Sequence, residues 1–304
     1  MVNLKVRIGS LELENPVTAA SGTFGYGIEF ADKLDLRRIG AFFTKGLSLK
    51  KRAGNPMPRI CETPSGMINS IGLENVGIDA FESEKLPLLK NSGAKVIANF
   101  FGETLDEYVL AAKRLDAMDG VHALEMNVSC PNVAKGGIEF GSDPYFLEKL
   151  TGEVRKGVGK PLIVKLSPNV ADIRPFAIAA ENGGADAISA INTLKGMSVN
   201  VKTRTPKIKR VFGGLSGPAI KPVAVRMVYE CAKIVKIPVI GLGGIASLED
   251  ALEFFIAGAT AVQVGTMNFV EPGICERLAD ELAAWCSAEG ITDIKSVIGS
   301  LKID

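Results

Sequence analysis

The stretch Glu125-Met126-Asn127-Val128-Ser129-Cys130-Pro131-Asn132 sets one thiol between two amide side chains. A thiol can take up or release a proton near neutral pH, and Asn amides offer donors and acceptors to a polar ligand. Ala123, Leu124, Met126 and Val128 are apolar and read as a strand, which Pro131 cannot continue. Cys130 is therefore expected on a loop just beyond a strand's carboxyl end. Taken alone, a cysteine in a turn is more often inert packing than chemistry. The weight comes from the other strand ends.

Apolar runs of strand length occur at Val17–Ala20, Ala41–Thr44, Lys95–Phe100, Ala123–Val128, Leu162–Leu166, Ala187–Ile191, Val239–Leu242 and Ala261–Val264. The first runs into Ser21-Gly22-Thr23-Phe24-Gly25, and the second into Lys45-Gly46. Asn99 and Asn127 close the third and fourth, and Lys165 the fifth. Asn192-Thr193 follow the sixth, Gly243-Gly244 the seventh and Gly265-Thr266 the eighth. Any one of these is an ordinary cap or turn residue. Eight neighbouring loops of one character predict a site.

The last two loops carry the sharpest logic. Gly243-Gly244 precede a helix expected to start near Ser247, and glycine-freed amides near a helix N-terminus hold a phosphate. Gly241-x-Gly243-x-x-Ala246 also resembles a dinucleotide fingerprint. That reading fails, because Gln263 and Val264 stand where the ribose-binding acid should be. One phosphate is predicted, not a pyrophosphate. Period-two alternation turns Ile163 and Lys165 inward, and a buried lysine needs a negative partner. An anionic cofactor, such as a reduced flavin, or Glu125 would supply it.

The elements that must position these residues follow from periodicity. Helical spacing appears at Leu105–Met118, Pro144–Val158, Ala171–Asn182, Ala219–Val235, Leu248–Ala257 and Cys275–Ala288. Continuous apolar strands alternating with amphipathic helices imply a parallel sheet covered on its outside. Eight units predict an α/β (β/α)8 TIM barrel, one domain over residues 1–304, whose strand ends share one face. A doubly wound sheet is the rival, and it needs fewer strands. An N-terminal hairpin is expected from Leu4–Ile8 and Leu11–Leu13. Residues 46–82 and 192–217 are too long for simple βα loops, and both are expected on the carboxyl face.

Composition narrows the function. The chain has 304 residues, 47% of them hydrophobic, and a net charge of +1. Nothing there favours nucleic acid or a membrane surface. The N-terminus lacks a signal-peptide core, and no window is apolar enough to span a bilayer. Cys61, Cys130, Cys231, Cys275 and Cys286 are dispersed, with no Cys-x-x-Cys pair. Reduced thiols in the cytoplasm are expected, with no zinc, iron–sulfur or other metal site in this chain. The one histidine, His122, falls at a strand's amino end and is read as structural.

Assembled in this way, the chain resembles the class 1 dihydroorotate dehydrogenases, flavin enzymes of pyrimidine synthesis that oxidise dihydroorotate to orotate. The resemblance runs from Asn15-Pro16 to Val264-Gly265-Thr266. It is most specific at Ala20–Gly25, Asn69-Ser70-Ile71-Gly72-Leu73, Asn127–Asn132 and Gly213-Gly214-Leu215-Ser216-Gly217-Pro218. Class 2 enzymes carry Ser where Cys130 stands. Gly213–Pro222 followed by Val223-Ala224-Val225-Arg226 is similar to the 1B type. The related dihydropyrimidine dehydrogenase flavin domain is set aside, because its longer chain carries iron–sulfur cysteine runs absent here.

The resemblance implies one FMN per chain, held by Ser21, Lys45, Gly46, Asn99, Asn127, Lys165, Ile191, Gly217, Gly243, Gly244, Gly265 and Thr266. It implies a dihydropyrimidine held by Lys45, Asn69, Ser70, Ile71, Gly72, Leu73, Asn127, Asn132, Asn192 and Thr193. Cys130 would be the base for the C5 proton. Electrons would reach NAD through a partner subunit carrying FAD and a [2Fe-2S] cluster, two of them joining a homodimer of this chain in a heterotetramer. The alternatives are a stand-alone fumarate-linked 1A enzyme and a non-catalytic flavin-binding assembly subunit.

Overall fold

The computed structural model describes residues 2–89, 92–128 and 141–303. Eight parallel strands close into a barrel: β1 (Val17–Ala19), β2 (Ala41–Phe43), β3 (Val96–Phe100), β4 (Ala123–Asn127), β5 (Leu162–Lys165), β6 (Ala187–Ala190), β7 (Val239–Leu242) and β8 (Ala261–Val264). Each pairs with its neighbours in sequence, and β8 returns to β1 through Val262↔Val17 and Val264↔Ala19. The predicted (β/α)8 barrel is thus the observed one, and the doubly wound sheet is excluded, since a closed ring has no edge.

Among the described residues, the longer helices on the outside are α1 (Leu105–Asp116), α2 (Pro144–Arg155), α3 (Arg174–Asn182), α4 (Lys221–Ala232), α5 (Leu248–Ala257) and α6 (Ile274–Ala288). Their apolar stripes face the strands. In α1 the buried residues are Tyr108, Ala111, Ala112 and Leu115, the spacing of one helical face. The starts follow capping chemistry. Thr104 caps α1, and Ser247 and Asp250 form a capping box on α5. Two helices begin later than periodicity predicts. Asp172 turns the chain by accepting from the Arg174 N–H at 3.0 Å, so α3 starts at Arg174. Pro218–Ile220 form a 3-10 turn, so α4 starts at Lys221.

The N-terminal hairpin forms from Val6–Ile8 and Leu11–Leu13. Its turn residue Gly9 lies against Asp186, at the amino end of β6. The hairpin therefore sits opposite the face where the strand ends gather.

The two long segments are not separate loops. Ile60–Thr63, Gly66–Asn69, Gly213–Ser216 and Leu194–Gly196 build one four-stranded antiparallel sheet. Gly214 pairs with Asn69, joining residues far apart in sequence. The glycines permit the close approach. A Cβ on Gly214 would lie 2.1 Å from Thr193 Oγ1, and one on Gly213 would lie 2.5 Å from the Asn69 carbonyl oxygen. This sheet brings Asn69 and Thr193 to the two sides of Gly214.

Candidate active site

The site is built upward from a polar layer inside the barrel. Glu125 on β4 is fully buried, and its carboxylate draws donors from four other strands. It accepts from Ser189 Oγ on β6 at 2.7 Å, Gln263 Nε2 on β8 at 2.8 Å and Asn99 Nδ2 on β3 at 2.5 Å. Lys165 Nζ on β5 completes the set at 3.5 Å. The predicted inward turn of Lys165 is observed, and Glu125 is its partner. A buried ion pair is tolerable when further hydrogen bonds satisfy the charge, as they do here.

This layer leaves two acceptors open. A carboxylate donates nothing, so Asn99 and Gln263 must turn their NH2 groups towards it. Asn99 Oδ1 and Gln263 Oε1 are then buried with no hydrogen-bond partner. A Cβ on Gly46 would stand 2.9 Å from Asn99 Oδ1, so glycine at 46 leaves space beside that oxygen. A ring carrying an N–H fits an orphaned amide oxygen of this kind.

Above the layer lie the strand ends. Asn127 closes β4. Its backbone carbonyl accepts from Tyr108 on α1 at 2.9 Å, and its Oδ1 accepts from Asn192 Nδ2 at 3.2 Å. Asn192 Oδ1 in turn accepts the Thr193 N–H at 2.8 Å. Asn127, Asn192 and Thr193 thus form one chain of hydrogen bonds leading from β4 to the antiparallel sheet. Ser21 Oγ donates to the Thr44 carbonyl at 2.7 Å and ties the ends of β1 and β2. Lys45 follows β2, partly exposed, with Nζ 3.8 Å from Glu74.

Asn69–Leu73 run from the sheet into a tight reversal. Gly72 and Leu73 are successive left-handed residues, at φ 75 and φ 59. For leucine that conformation costs of order 1 kcal/mol and persists only where its surroundings impose it. Two asparagines that sequence reasoning missed do so. The Asn55 N–H donates to the Ile71 carbonyl and its Nδ2 to the Ser70 carbonyl, each at 2.9 Å. Asn75 Nδ2 donates to the Leu73 carbonyl at 2.9 Å, while its Oδ1 accepts the Gly77 N–H at 2.8 Å. The only sequence signal for either was an asparagine in a glycine- and proline-rich segment.

At the other side of the mouth, glycine turns converge. A Cβ on Gly244 would lie 2.7 Å from Lys221 Cβ and 3.0 Å from the Gly217 carbonyl oxygen. One on Gly243 would lie 3.5 Å from Ile191 Cγ1. Thr266 Oγ1 donates to Ser216 Oγ at 2.8 Å, next to Gly217. A Cβ on Gly265 would meet nothing closer than Ala20 at 3.8 Å, so open space lies beside it. These turns gather glycine backbone from three segments of the chain at one place. At the start of α5, Asp250 Oδ2 accepts the Ala246 and Ser247 N–H groups, each at 2.9 Å, so those two amides are already paired.

The remaining candidates sort cleanly. Cys130 and Asn132 lie outside the described residues, on the segment that follows Val128. Cys231, Cys275 and Cys286 are buried, and burial pushes the Cys231 thiol up to about 12 and the other two above their ordinary range. Thiols held protonated are unreactive. His122 sits at the amino end of β4, where its Nδ1 accepts the Val96 N–H at 3.1 Å, a structural role.

Comparison with known proteins agrees with this geometry. A family profile described as dihydroorotate dehydrogenase matches residues 3–285. A protein of Trichlorobacter lovleyi is 58% identical over 299 residues, 98% of each chain. Proteins of Geotalea daltonii (55% over 301 residues, 99% of each chain) and of a Thermoanaerobacter species (54% over 303 residues, 100% of each) are similar to the same extent. All three bear the name dihydroorotate dehydrogenase B (NAD(+)), catalytic subunit. With a profile match across most of its length and full-length relatives above half identity, this chain belongs to the dihydroorotate dehydrogenase family.

Proposed function

We propose that this protein is the catalytic subunit of an NAD-linked, FMN-dependent dihydroorotate dehydrogenase, oxidising (S)-dihydroorotate to orotate in pyrimidine synthesis. The observation that carries this reading is the gathering, on one barrel face, of the glycine cradle, the Lys165–Glu125 layer and the Asn127–Asn192 pair. Those positions are the ones the family resemblance assigns to cofactor and substrate.

The residues present fit FMN. Gly217, Gly243, Gly244, Gly265 and Thr266 would take its single phosphate through backbone N–H groups and a hydroxyl. Ser21, Lys45, Gly46, Asn99, Asn127, Lys165 and Ile191 would surround its ring, where the open Asn99 Oδ1 suits a ring N–H. When bound, FMN supplies the acceptor for the hydride leaving C6 of dihydroorotate. Cys130 Sγ takes the C5 proton, so the substrate loses one hydride and one proton as its C5=C6 bond forms. Asn69 through Leu73, Asn127, Asn132, Asn192 and Thr193 hold the substrate's carbonyl, N–H and carboxylate edges, and Lys45 adds positive charge near the carboxylate.

Electrons then pass to NAD through a partner subunit carrying FAD and a [2Fe-2S] cluster, two such subunits joining a homodimer of this chain. Support comes from the words "NAD(+)" and "catalytic subunit" in the relatives' names. Among the described residues no helix is long and apolar enough to cross a membrane, which accords with a cytoplasmic enzyme.

The direct test is anaerobic addition of dihydroorotate to the purified yellow protein. Bleaching of the flavin absorption is expected, with one FMN released per chain on denaturation. A yellow protein that dihydroorotate does not bleach would favour the non-catalytic assembly subunit.

Two substitutions separate cofactor from substrate residues. Gly265→Asp puts a carboxylate into open space beside the proposed phosphate, and like charges about 4 Å apart repel by about 4 kcal/mol at a protein surface. FMN affinity should fall at least about a hundredfold with the circular dichroism spectrum unchanged. Normal FMN content would move the phosphate elsewhere. Gly244→Asp is the poorer probe, because its Cβ would press on the Lys221 backbone nitrogen at 2.8 Å. For the substrate, Asn69→Ala removes a side chain whose one hydrogen bond, to the Gly214 carbonyl, is long at 3.4 Å. Dihydroorotate binding should weaken about tenfold or more, the scale of one or two lost hydrogen bonds, with FMN affinity unchanged. Equal loss of both would assign Asn69 to the sheet alone.

A further inference from the structure

Lys221 stands where a phosphate-binding lysine would stand. A Cβ on Gly244 would lie 2.8 Å from its backbone nitrogen and 2.7 Å from its Cβ. Its amine is nevertheless committed elsewhere. Nζ donates to Asp250 Oδ1 at 2.6 Å and also to Glu253. These two carboxylates hold the amine protonated, with its pKa above the ordinary lysine range. The three groups carry two negative charges and one positive, so the cluster offers no net attraction to an anion.

The geometry of Asp250 explains the arrangement. Its Oδ2 accepts the Ala246 and Ser247 N–H groups, fastening the chain just beyond Gly243–Gly244. Its Oδ1 holds Lys221, the first residue of α4, four residues beyond Gly217. One carboxylate thus ties together the Gly217 turn and the Gly243–Gly244 turn, which pack against each other, since a Cβ on Gly244 would lie 3.0 Å from the Gly217 carbonyl oxygen. Both partners are mostly buried, with side chains 22% and 16% exposed, so solvent screens the pair less than a surface ion pair. Thr266 and Ser216 make a second tie on the β8 side.

We propose that Lys221 and Asp250 form a strut that fixes how the Gly217 turn packs on the Gly243–Gly244 turn, and so where their backbone N–H groups point. The strut selects a phosphorylated flavin over its dephosphorylated form while neither residue touches the phosphate. Backbone N–H groups hold an anion well only within a few tenths of an ångström of the ideal distance. A cradle whose walls are free to spread loses that fit, whereas contacts to the flavin ring, made at other strand ends, do not depend on it. Lys221 and Asp250 are then positioning residues. This inference rests on the phosphate placement proposed above.

The experiment titrates apoprotein with FMN and with riboflavin, following flavin fluorescence, and compares the ratio of the two dissociation constants. Wild-type protein should prefer FMN by about a hundredfold or more, as expected for several charge-assisted hydrogen bonds. Lys221→Met and Asp250→Asn should each shrink that preference about tenfold or more, with riboflavin affinity within about threefold of wild type. Asn at 250 keeps a carbonyl oxygen for the helix cap, so this variant folds if Lys221→Met does not. Lys221→Arg should restore the preference, since a guanidinium can bridge the same carboxylates. A preference that survives both Lys221→Met and Asp250→Asn overturns the strut alone. A preference that rises in Asp250→Asn also overturns it, because a freed Lys221 would then be a direct phosphate ligand. No preference in the wild type overturns the phosphate placement, and the strut with it.

Discussion

Replacing Cys130 by serine is expected to slow reduction of the bound flavin by about a hundredfold or more at neutral pH, with FMN still bound. A free thiol titrates near about 8.5, within reach of physiological pH, whereas a serine hydroxyl holds its proton unless a base removes it. Among the described residues, the candidate bases are already engaged. The one histidine, His122, is at the amino end of β4 and already accepts a backbone N–H. Lys165 is engaged by Glu125, and Lys45 is 3.8 Å from Glu74. No other thiol among those described on the helices can substitute, because Cys231, Cys275 and Cys286 are buried and held protonated. Stopped-flow absorbance under anaerobic conditions measures the step directly. Wild-type rates should climb through the alkaline range as the thiol ionises, while the serine variant stays slow throughout. A Cys130→Ser enzyme within a few-fold of wild type would remove Cys130 from the mechanism.

The second large effect concerns the electron acceptor. Purified without a partner, the chain is expected to reduce its flavin with dihydroorotate yet form NADH slowly. Adding the partner subunit should raise NADH formation by about two orders of magnitude, equivalent to about 2.7 kcal/mol off the effective activation barrier. The physical reason lies at β7. Gly241-x-Gly243-x-x-Ala246 looks like a dinucleotide turn, but its glycines serve packing. A Cβ on Gly241 would strike Phe254 of α5 at 2.5 Å, and one on Gly243 would lie 2.9 Å from Ala224 of α4. On the next strand, Gln263 turns inward to Glu125, so it offers no acid to a ribose. Fast NADH production by the isolated chain would defeat the two-subunit reading. Fast fumarate reduction would favour the stand-alone 1A type.

Much of the scaffold was legible because its signals are local. Continuous apolar triplets such as Ala41-Phe42-Phe43 can only be strands buried on both faces, and they recur with helices between them. The amino-end placement of His122 followed from the same rhythm. The Ser247-x-x-Asp250 capping box was also written locally. That one Asp250 oxygen takes the Ala246 and Ser247 amides while the other takes Lys221 is visible only in the tertiary structure.

The sequence by itself determined the barrel, the strand-end positions of Asn99, Asn127, Lys165, Gly243–Gly244 and Gly265–Thr266, and the family resemblance. Periodicity and turn chemistry act over a few residues and leave a direct trace in the order of residue types. Only the tertiary structure decided which groups meet. The contact of Lys165 with Glu125 depended on barrel closure, which brings β3, β5, β6 and β8 around one carboxylate. Residues 46–82 and 192–217 read as independent loops because their strands are partly exposed, glycine-rich and paired across long stretches of chain. Such pairing is stabilised by contacts that no local window contains. Through it, Asn69 and Thr193 both come against Gly214, and Gly217 comes beside Gly244.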